Sequence, residues 1–194
     1  MLDLKKVAVT GGLASGKSTV CFLFENKGAY RVSADAIIHQ LLSSKTSVRL
    51  QVIDLLGPDI LEKEEIIRSR VAAFIFSSHE LELKYKSIVQ PAALDVIEQE
   101  YLKAIDQKAP LFIAEVPLLF ECGLEEKFDA IITVEAPLEE RRKRYKKDDF
   151  DIRISHQLND KQRAMKADYI IQNKEGIPLL EAQINPIFSI LTRG

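Results

Sequence analysis

The sequence predicts an α/β fold, a doubly wound parallel sheet of about five strands with a helical insertion after the second. Two observations predict it. Short continuous apolar runs, rich in β-branched residues and separated by helical stretches, recur along the chain as strands buried on both faces do. The first run also leads straight into a glycine-rich turn and then a helix, the opening of a phosphate-binding α/β unit.

Taken in order, residues 5–10 (Lys-Lys-Val-Ala-Val-Thr) form a strand with a polar entry, and residues 18–25 have helical apolar spacing before Asn26-Lys27-Gly28 closes them. Residues 29–33 read as a second strand, and Asp35 opens a helix whose Ile37, Ile38, Leu41 and Leu42 share one stripe. From 47 to 106 the chain is helical in character. Val52, Leu55 and Leu56 lead into Gly57-Pro58, Val71, Phe74, Ile75 and Phe76 continue the pattern, and Leu94, Ile97, Tyr101 and Leu102 extend it past Pro91. No strand signal occurs in that stretch. Strands resume at 111–114, 130–134 and 169–171, and a closing helix covers 179–191.

Bulk properties exclude several functions. The 194 residues suit one compact domain with a small inserted lobe, and 46% hydrophobic with 29% charged residues is ordinary for a globular chain. No apolar run approaches the roughly 18 residues that span a bilayer, and no secretory signal is recognisable, so a cytoplasmic protein with no membrane partner is expected. Cys21 and Cys122 lack metal-ligand spacing and fit reduced thiols. A net charge of −2 gives no global field for nucleic acid, and the basic run at 141–147 has no aromatic stacking platform beside it.

Residues 11–18, Gly-Gly-Leu-Ala-Ser-Gly-Lys-Ser, match the G-x-x-x-x-G-K-[ST] loop in full. A strand turning abruptly into a helix points successive backbone N–H groups at the β- and γ-phosphates of a nucleotide. Gly11 and Gly16 take the turn, Lys17 reaches the β/γ-phosphates, and the Ser18 hydroxyl is placed to hold Mg²⁺. The nucleotide cradle therefore comprises Gly12, Ala14, Ser15, Gly16, Lys17, Ser18 and Thr19, on a P-loop NTPase-type sheet. A GTPase is disfavoured because Asn173-Lys174-Glu175-Gly176 lacks the Asp that reads guanine. A large motor ATPase needs more chain than this. A small kinase needs only the loop, a second-substrate lobe and a lid.

Four segments carry a more specific likeness: Thr10 to Val20, Ser33-Ala34-Asp35-Ala36-Ile37-Ile38-His39, Val116-Pro117-Leu118-Leu119-Phe120-Glu121, and Arg153-Ile154-Ser155-His156-Gln157 followed by Ala167 to Asn173. In order and spacing they resemble the dephospho-CoA kinase family over nearly the whole chain. The resemblance implies ATP-dependent phosphorylation of the ribose 3′-hydroxyl of dephospho-CoA, the last step of coenzyme A synthesis, with Mg²⁺ as cofactor. It also implies a single domain over 1–194, with its core at 1–34, 107–137 and 167–194, a helical substrate lobe at 35–106 and a lid at 138–166. ATP and dephospho-CoA are then the partners, for a monomer or weak homo-oligomer. Ser33 stands where the family has Asp, Gln90 where it more often has His, and Ala14 where it more often has Gly.

Physical readings accompany these assignments. Asp35, just past a strand end, is marked by the resemblance as the base or orienter of the acceptor hydroxyl; the alternative is a helix N-cap. His39, on the same helix face, reaches a substrate phosphate or is a surface histidine. Glu115 follows an apolar strand, where it holds Mg²⁺ through water or is an ordinary strand-end charge. Pro117 and Leu118 belong to an apolar stretch that reads as core or as a substrate wall, and Glu121 binds substrate or caps a turn. In the basic run, Glu139–Lys143 and Glu140–Arg144 are favourable i,i+4 pairs of a solvated face. The resemblance instead makes Arg144 and Arg153 the lid's arginines, acting on the transferring phosphate. A small P-loop kinase for a nucleoside monophosphate or a shikimate-like alcohol is the rival enzyme, and an ATP-switched binding module the rival of another class.

Overall fold

The computed structural model describes residues 4–193. The chain opens with β1 (Lys6–Gly11), α1 (Lys17–Glu25) and β2 (Tyr30–Ser33). There follow α2 (Ala34–Ser43), α3 (Ser47–Leu56), β3 (Leu61–Glu62), β4 (Glu65–Ile66), α4 (Arg68–Ser77) and α5 (His79–Asp106). β5 (Phe112–Glu115), β6 (Ala130–Glu135), α6 (Leu138–Arg144), α7 (Phe150–Ser155), α8 (Asp160–Ala164), β7 (Tyr169–Gln172) and α9 (Ile177–Thr192) complete it. Two compact units result: one holds the chain up to Ser33 and again from Tyr101, and the other is Ala34–Glu100.

The first unit contains the expected five-stranded sheet, in the order β2-β5-β1-β6-β7 with every neighbouring pair parallel. Burial explains which runs were legible. The central strands β1, β5 and β6 are buried almost throughout, so their sequences are continuously apolar; the edge strands β2 and β7 alternate in exposure. The chain builds β2 and β5 on one side of β1 and then crosses to β6 on the other. Such a reversal leaves a crevice beyond the carboxyl end of β1, where ligands bind in open α/β sheets. The helices α1 and α9 pack Val20, Phe24, Leu180, Ile184 and Ile187 against sheet residues Val7, Val9, Ile132 and Ile171.

The second unit has its own core, in which Leu42, Val48, Val52, Leu56, Ile60, Val71 and Val89 come from successive helices. Two features depart from the sequence reading. A two-stranded antiparallel hairpin, β3 with β4, lies in the stretch expected to be wholly helical. Its strands are too short to show a period, and its turn places Lys63 and Glu64 at φ 48° and 66°, a left-handed pair usually signalled by Asn-Gly. The helix α2 begins at Ala34, directly after β2, so Asp35 lies inside the first turn rather than at the cap. A carboxylate there still complements the helix dipole.

Neither cysteine joins a disulfide, and burial pushes the Cys21 thiol well up, which keeps it protonated. No helix of the described residues is long and apolar enough to cross a membrane.

Phe112 anchors the first unit. Fully buried in β5, it lies 5.9 Å from the Tyr30 ring in a stacked arrangement and 5.4 Å from Tyr101 edge-on. Tyr101 in turn donates from its hydroxyl to the Leu4 carbonyl at 2.6 Å. Phe112→Ala is expected to cost about 3–5 kcal/mol, a drop in melting temperature of roughly 10 °C in calorimetry.

Candidate active site

The loop between β1 and α1 is held by contacts that its glycines permit. Gly11, in register with Val134 of β6, has φ 143°, and a Cβ there would strike the Val134 carbonyl oxygen. Gly16 is left-handed at φ 98°, and a Cβ there would strike Asn173 Nδ2. That amide donates to the Ser15 carbonyl at 2.8 Å, so the strand end at β7 grips the loop directly. Ser15 itself is fully buried and donates its backbone N–H to the Gly12 carbonyl at 3.1 Å. Ala14 has φ 57°, a region where glycine is unstrained and alanine is not.

Lys17 is 8% exposed, and its ammonium donates to the carbonyls of Gly11 at 3.1 Å and Gly12 at 3.0 Å. Ser18 and Thr19 are exposed in the first turn of α1. The Ser18 hydroxyl donates to Glu115 Oε1 at 2.7 Å, joining the loop to the end of β5. Glu115 is the last residue of that strand rather than the residue after it, in register with Val9 of β1 and Ser33 of β2. Ser33, in place of the family's Asp, therefore stands at the same sheet edge. No cluster of three or more His, Cys, Asp or Glu able to hold a metal occurs among the described residues. One hydroxyl and one carboxylate beside a phosphate loop do fit Mg²⁺, which keeps water and phosphate oxygens in the rest of its shell.

The segment 138–166 divides its cations by burial. Arg144, at the end of α6, is exposed, with Nη1 3.9 Å from where a Cβ on Gly16 would stand. Arg153 on α7 donates from Nε to Asp149 at 2.6 Å, and Tyr145 donates to the same carboxylate at 2.6 Å. The Tyr145 and Arg153 hydrogen bonds hold Asp149 below the usual carboxylate range. The expected i,i+4 pairing is replaced: Lys143 bonds Glu140 at 2.8 Å, and Arg142 takes Asp151 with two bonds, at 2.6 and 2.9 Å. Lys143 thus takes the carboxylate one turn back at i,i+3 on the same helix face, which leaves neither expected i,i+4 pair formed.

Arg141 is different in kind. It is the one buried residue of α6, with Nε donating to the Leu13 carbonyl at 2.8 Å and Nη1 to Asp160 at 3.2 Å. Arg163, 1% exposed, also bonds Asp160 and the Leu158 carbonyl, and lies 3.9 Å from Glu121. Burial pulls the Arg141 pKa down, Asp160 raises it, and Arg163 lowers it further. Asn159 starts α8 with a reciprocal capping pair to Gln162, which presents Asp160 and Arg163 one turn apart. Gln157 accepts from the Leu13 N–H at 2.9 Å. Reading 141–147 as a solvated basic face missed Arg141, no sequence signal singled out Arg163, and only the second loop glycine hinted at a close neighbour.

After β5, Leu119 and Phe120 are core, while Pro117 and Leu118 are half-exposed and the Pro117 carbonyl accepts from Thr10 at 3.3 Å. The Glu121 carboxylate accepts from the Leu158 N–H at 2.8 Å. Asp35 and His39 belong to the other unit, exposed and one turn apart on α2, with His39 Nδ1 3.5 Å from the Ser43 hydroxyl. Tyr85 of that unit is pushed up to about 12 by burial, with Arg68 opposing and Asp35 adding to the rise. Arg68 and Asp35 thus act on one phenol, a juxtaposition no sequence spacing signals.

A parallel sheet with a β1–loop–α1 unit, and a lysine held on the loop's own carbonyls, defines a P-loop phosphotransferase. TT1252 from Thermus thermophilus has the same fold, with a TM-score of 0.86 at 24% identity over 98% of this chain and 99% of that one. A dephospho-CoA kinase from Campylobacter jejuni shares it at a TM-score of 0.69 and 23% identity, covering 97% of each chain. A relative named dephospho-CoA kinase, from Protochlamydia amoebophila, is 41% identical over 199 residues, 98% of each protein. The family model described as CoaE, dephospho-CoA kinase, matches residues 5–178. The chain belongs to the dephospho-CoA kinase family.

Gly16→Ala combines a left-handed backbone with a clash at Asn173. It is expected to weaken ATP binding in a fluorescence titration by about tenfold or more, the equivalent of ~1–3 kcal/mol of backbone strain, with circular dichroism unchanged.

Proposed function

We propose that this chain transfers the γ-phosphoryl group of ATP to the ribose 3′-hydroxyl of dephospho-CoA. Membership of a kinase family makes ATP the donor. The observation that carries the reading is the Lys17–Ser18–Glu115 arrangement at the carboxyl edge of the sheet, in a chain of this family. The N–H groups of Gly12 to Thr19 cradle the phosphates, and Lys17 faces the β/γ oxygens with its ammonium already oriented. Ser18 and Glu115 are the residues that would hold Mg²⁺, which would supply positive charge to the phosphates when bound.

Asp35 is the acceptor-side group. It orients the ribose hydroxyl, or takes its proton, for in-line attack on the γ-phosphorus. His39, exposed on the same α2 face, meets a phosphate of the acceptor. Pro117 and Leu118 offer half-exposed apolar surface for the acceptor's uncharged parts, and Glu121 shapes the same border. Arg144 and Arg153 exchange their present surroundings for phosphoryl oxygens when 138–166 closes, which stabilises spreading charge and excludes water. In a loose transition state positioning and charge dominate, so a few fixed cations and one carboxylate suffice.

Purified protein given ATP and Mg²⁺ with dephospho-CoA, AMP, UMP, dTMP or shikimate in parallel is expected to release ADP fastest with dephospho-CoA. A faster rate with any other acceptor would assign the chain a different substrate. Lys17→Ala should lower turnover by about 10²–10³-fold with the melting temperature preserved. Asp35→Asn should depress kcat by about 10²–10⁴-fold while leaving the ATP dissociation constant nearly unchanged; the reverse split would move Asp35 to the donor side.

A further inference from the structure

We propose that Arg141 is a positioning residue for the reaction: it holds the Leu13–Ala14 peptide while Gln157 holds the Gly12–Leu13 peptide, and together they fix the Gly12 carbonyl that carries the Lys17 ammonium. The inference rests on the kinase reading only for the use made of that loop.

The connection is short and continuous. Lys17 Nζ donates to the Gly12 carbonyl at 3.0 Å, so its place depends on how the Gly12–Leu13 peptide is turned. Leu13 is gripped on both sides of its own Cα. Its N–H, which belongs to that same peptide, is taken by Gln157 Oε1 at 2.9 Å, and its carbonyl takes Arg141 Nε at 2.8 Å. With both groups engaged, neither peptide flanking Leu13 can rotate without breaking a bond to a partner more than a hundred positions away in the chain, and a turn of one about the Leu13 Cα is opposed by the hold on the other. Arg141 is 4% exposed, so water does not replace those bonds cheaply.

Gly12 supplies an independent sign. A Cβ at this position would stand on the Arg141 guanidinium, with Nη1 at 2.7 Å. The second glycine of the loop is therefore required by the arginine's approach, not by its own backbone, since its φ is not positive. The charge of Arg141 is meanwhile answered locally. Asp160 lies between Arg141 and Arg163, and Glu121 is 3.9 Å from Arg163, so two cations meet two carboxylates. A neutralised, buried guanidinium adds little field at the phosphates; its fixed fork of donors acts through geometry.

Three variants test this. Arg141→Met removes the donors, Gln157→Leu removes the opposite hold from a half-exposed site, and Arg141→Lys keeps a cation for Asp160 but has one ammonium for two partners too far apart in direction. Arg141→Met and Gln157→Leu are each expected to lower kcat/KM for ATP by about 10–100-fold, as a small misplacement of a reacting group does, with KM for the acceptor within about twofold of wild type. Arg141→Lys should restore melting temperature without restoring kcat/KM for ATP. ATP titration without an acceptor must show the same ordering, a readout that stands even if the acceptor is other than dephospho-CoA, which the wild-type acceptor panel alone decides. Wild-type ATP parameters in Gln157→Leu overturn the proposal, and this variant decides the matter if Arg141→Met does not fold. Full kinetic rescue by Arg141→Lys overturns it as well.

Discussion

A triphosphate needs a cation that is already in place, and on the proposed function that cation is Lys17, held at 3.1 and 3.0 Å by the carbonyls of Gly11 and Gly12. An ammonium on a four-carbon stem loses much rotamer freedom when it is fixed. Holding it before ATP arrives moves that loss from the binding step to folding. The two carbonyls can do so only if their peptides are immobile, and each is tied to a different part of the sheet unit. Gly11 ends β1 against Val134 of β6, while Gly12 leads into a residue gripped from α6 and from Gln157. Asn173, at the end of β7, fixes Ser15 from a third direction.

Burying Arg141 and Arg163 beside the partly exposed Asp160 and the nearly enclosed Glu121 is a costly way to tie a loop. Desolvation of such groups commonly offsets their attraction, so the cluster is better understood as a source of geometry than of stability. Ala14, left-handed at φ 57°, belongs to the same balance. Its strain is of order 1 kcal/mol, and the surrounding contacts on Leu13 and Ser15 hold it there.

What the sequence could reveal followed the range of the interactions involved. Continuous apolar runs identified β1, β5 and β6 because burial on both faces leaves no polar position, and the loop was legible because its glycines and lysine are neighbours in the chain. The hairpin at Lys63 and Glu64 was hidden, since a Lys-Glu pair carries no turn signature. The cap offered as the alternative for Asp35 is not what the fold shows, because Ala34 continues from β2 into α2 without an intervening residue and leaves Asp35 within the first turn. Arg141 was lost among five neighbouring cations of similar composition. Its burial depends on Leu13 and Asp160, which only the folded chain brings to it.

Burial also sorts the cations of 138–166 into two roles. Arg141 and Arg163 are enclosed and bonded to backbone carbonyls, so neither can swing toward a ligand without unmaking the segment's own attachment. Arg144 is exposed, and Arg153 pairs with a partly exposed carboxylate at 31% and 34% side-chain exposure. Water competes for the Arg153–Asp149 pair, which lowers its worth relative to the enclosed contacts of Arg141 and Arg163. The loop thus carries a charge set in advance, and the segment over it carries charges that solvent already loosens. Under the proposed transfer, ATP binds readily and the electrostatic cage is completed only after the acceptor enters, an asymmetry that the arginines' depth in the fold would supply.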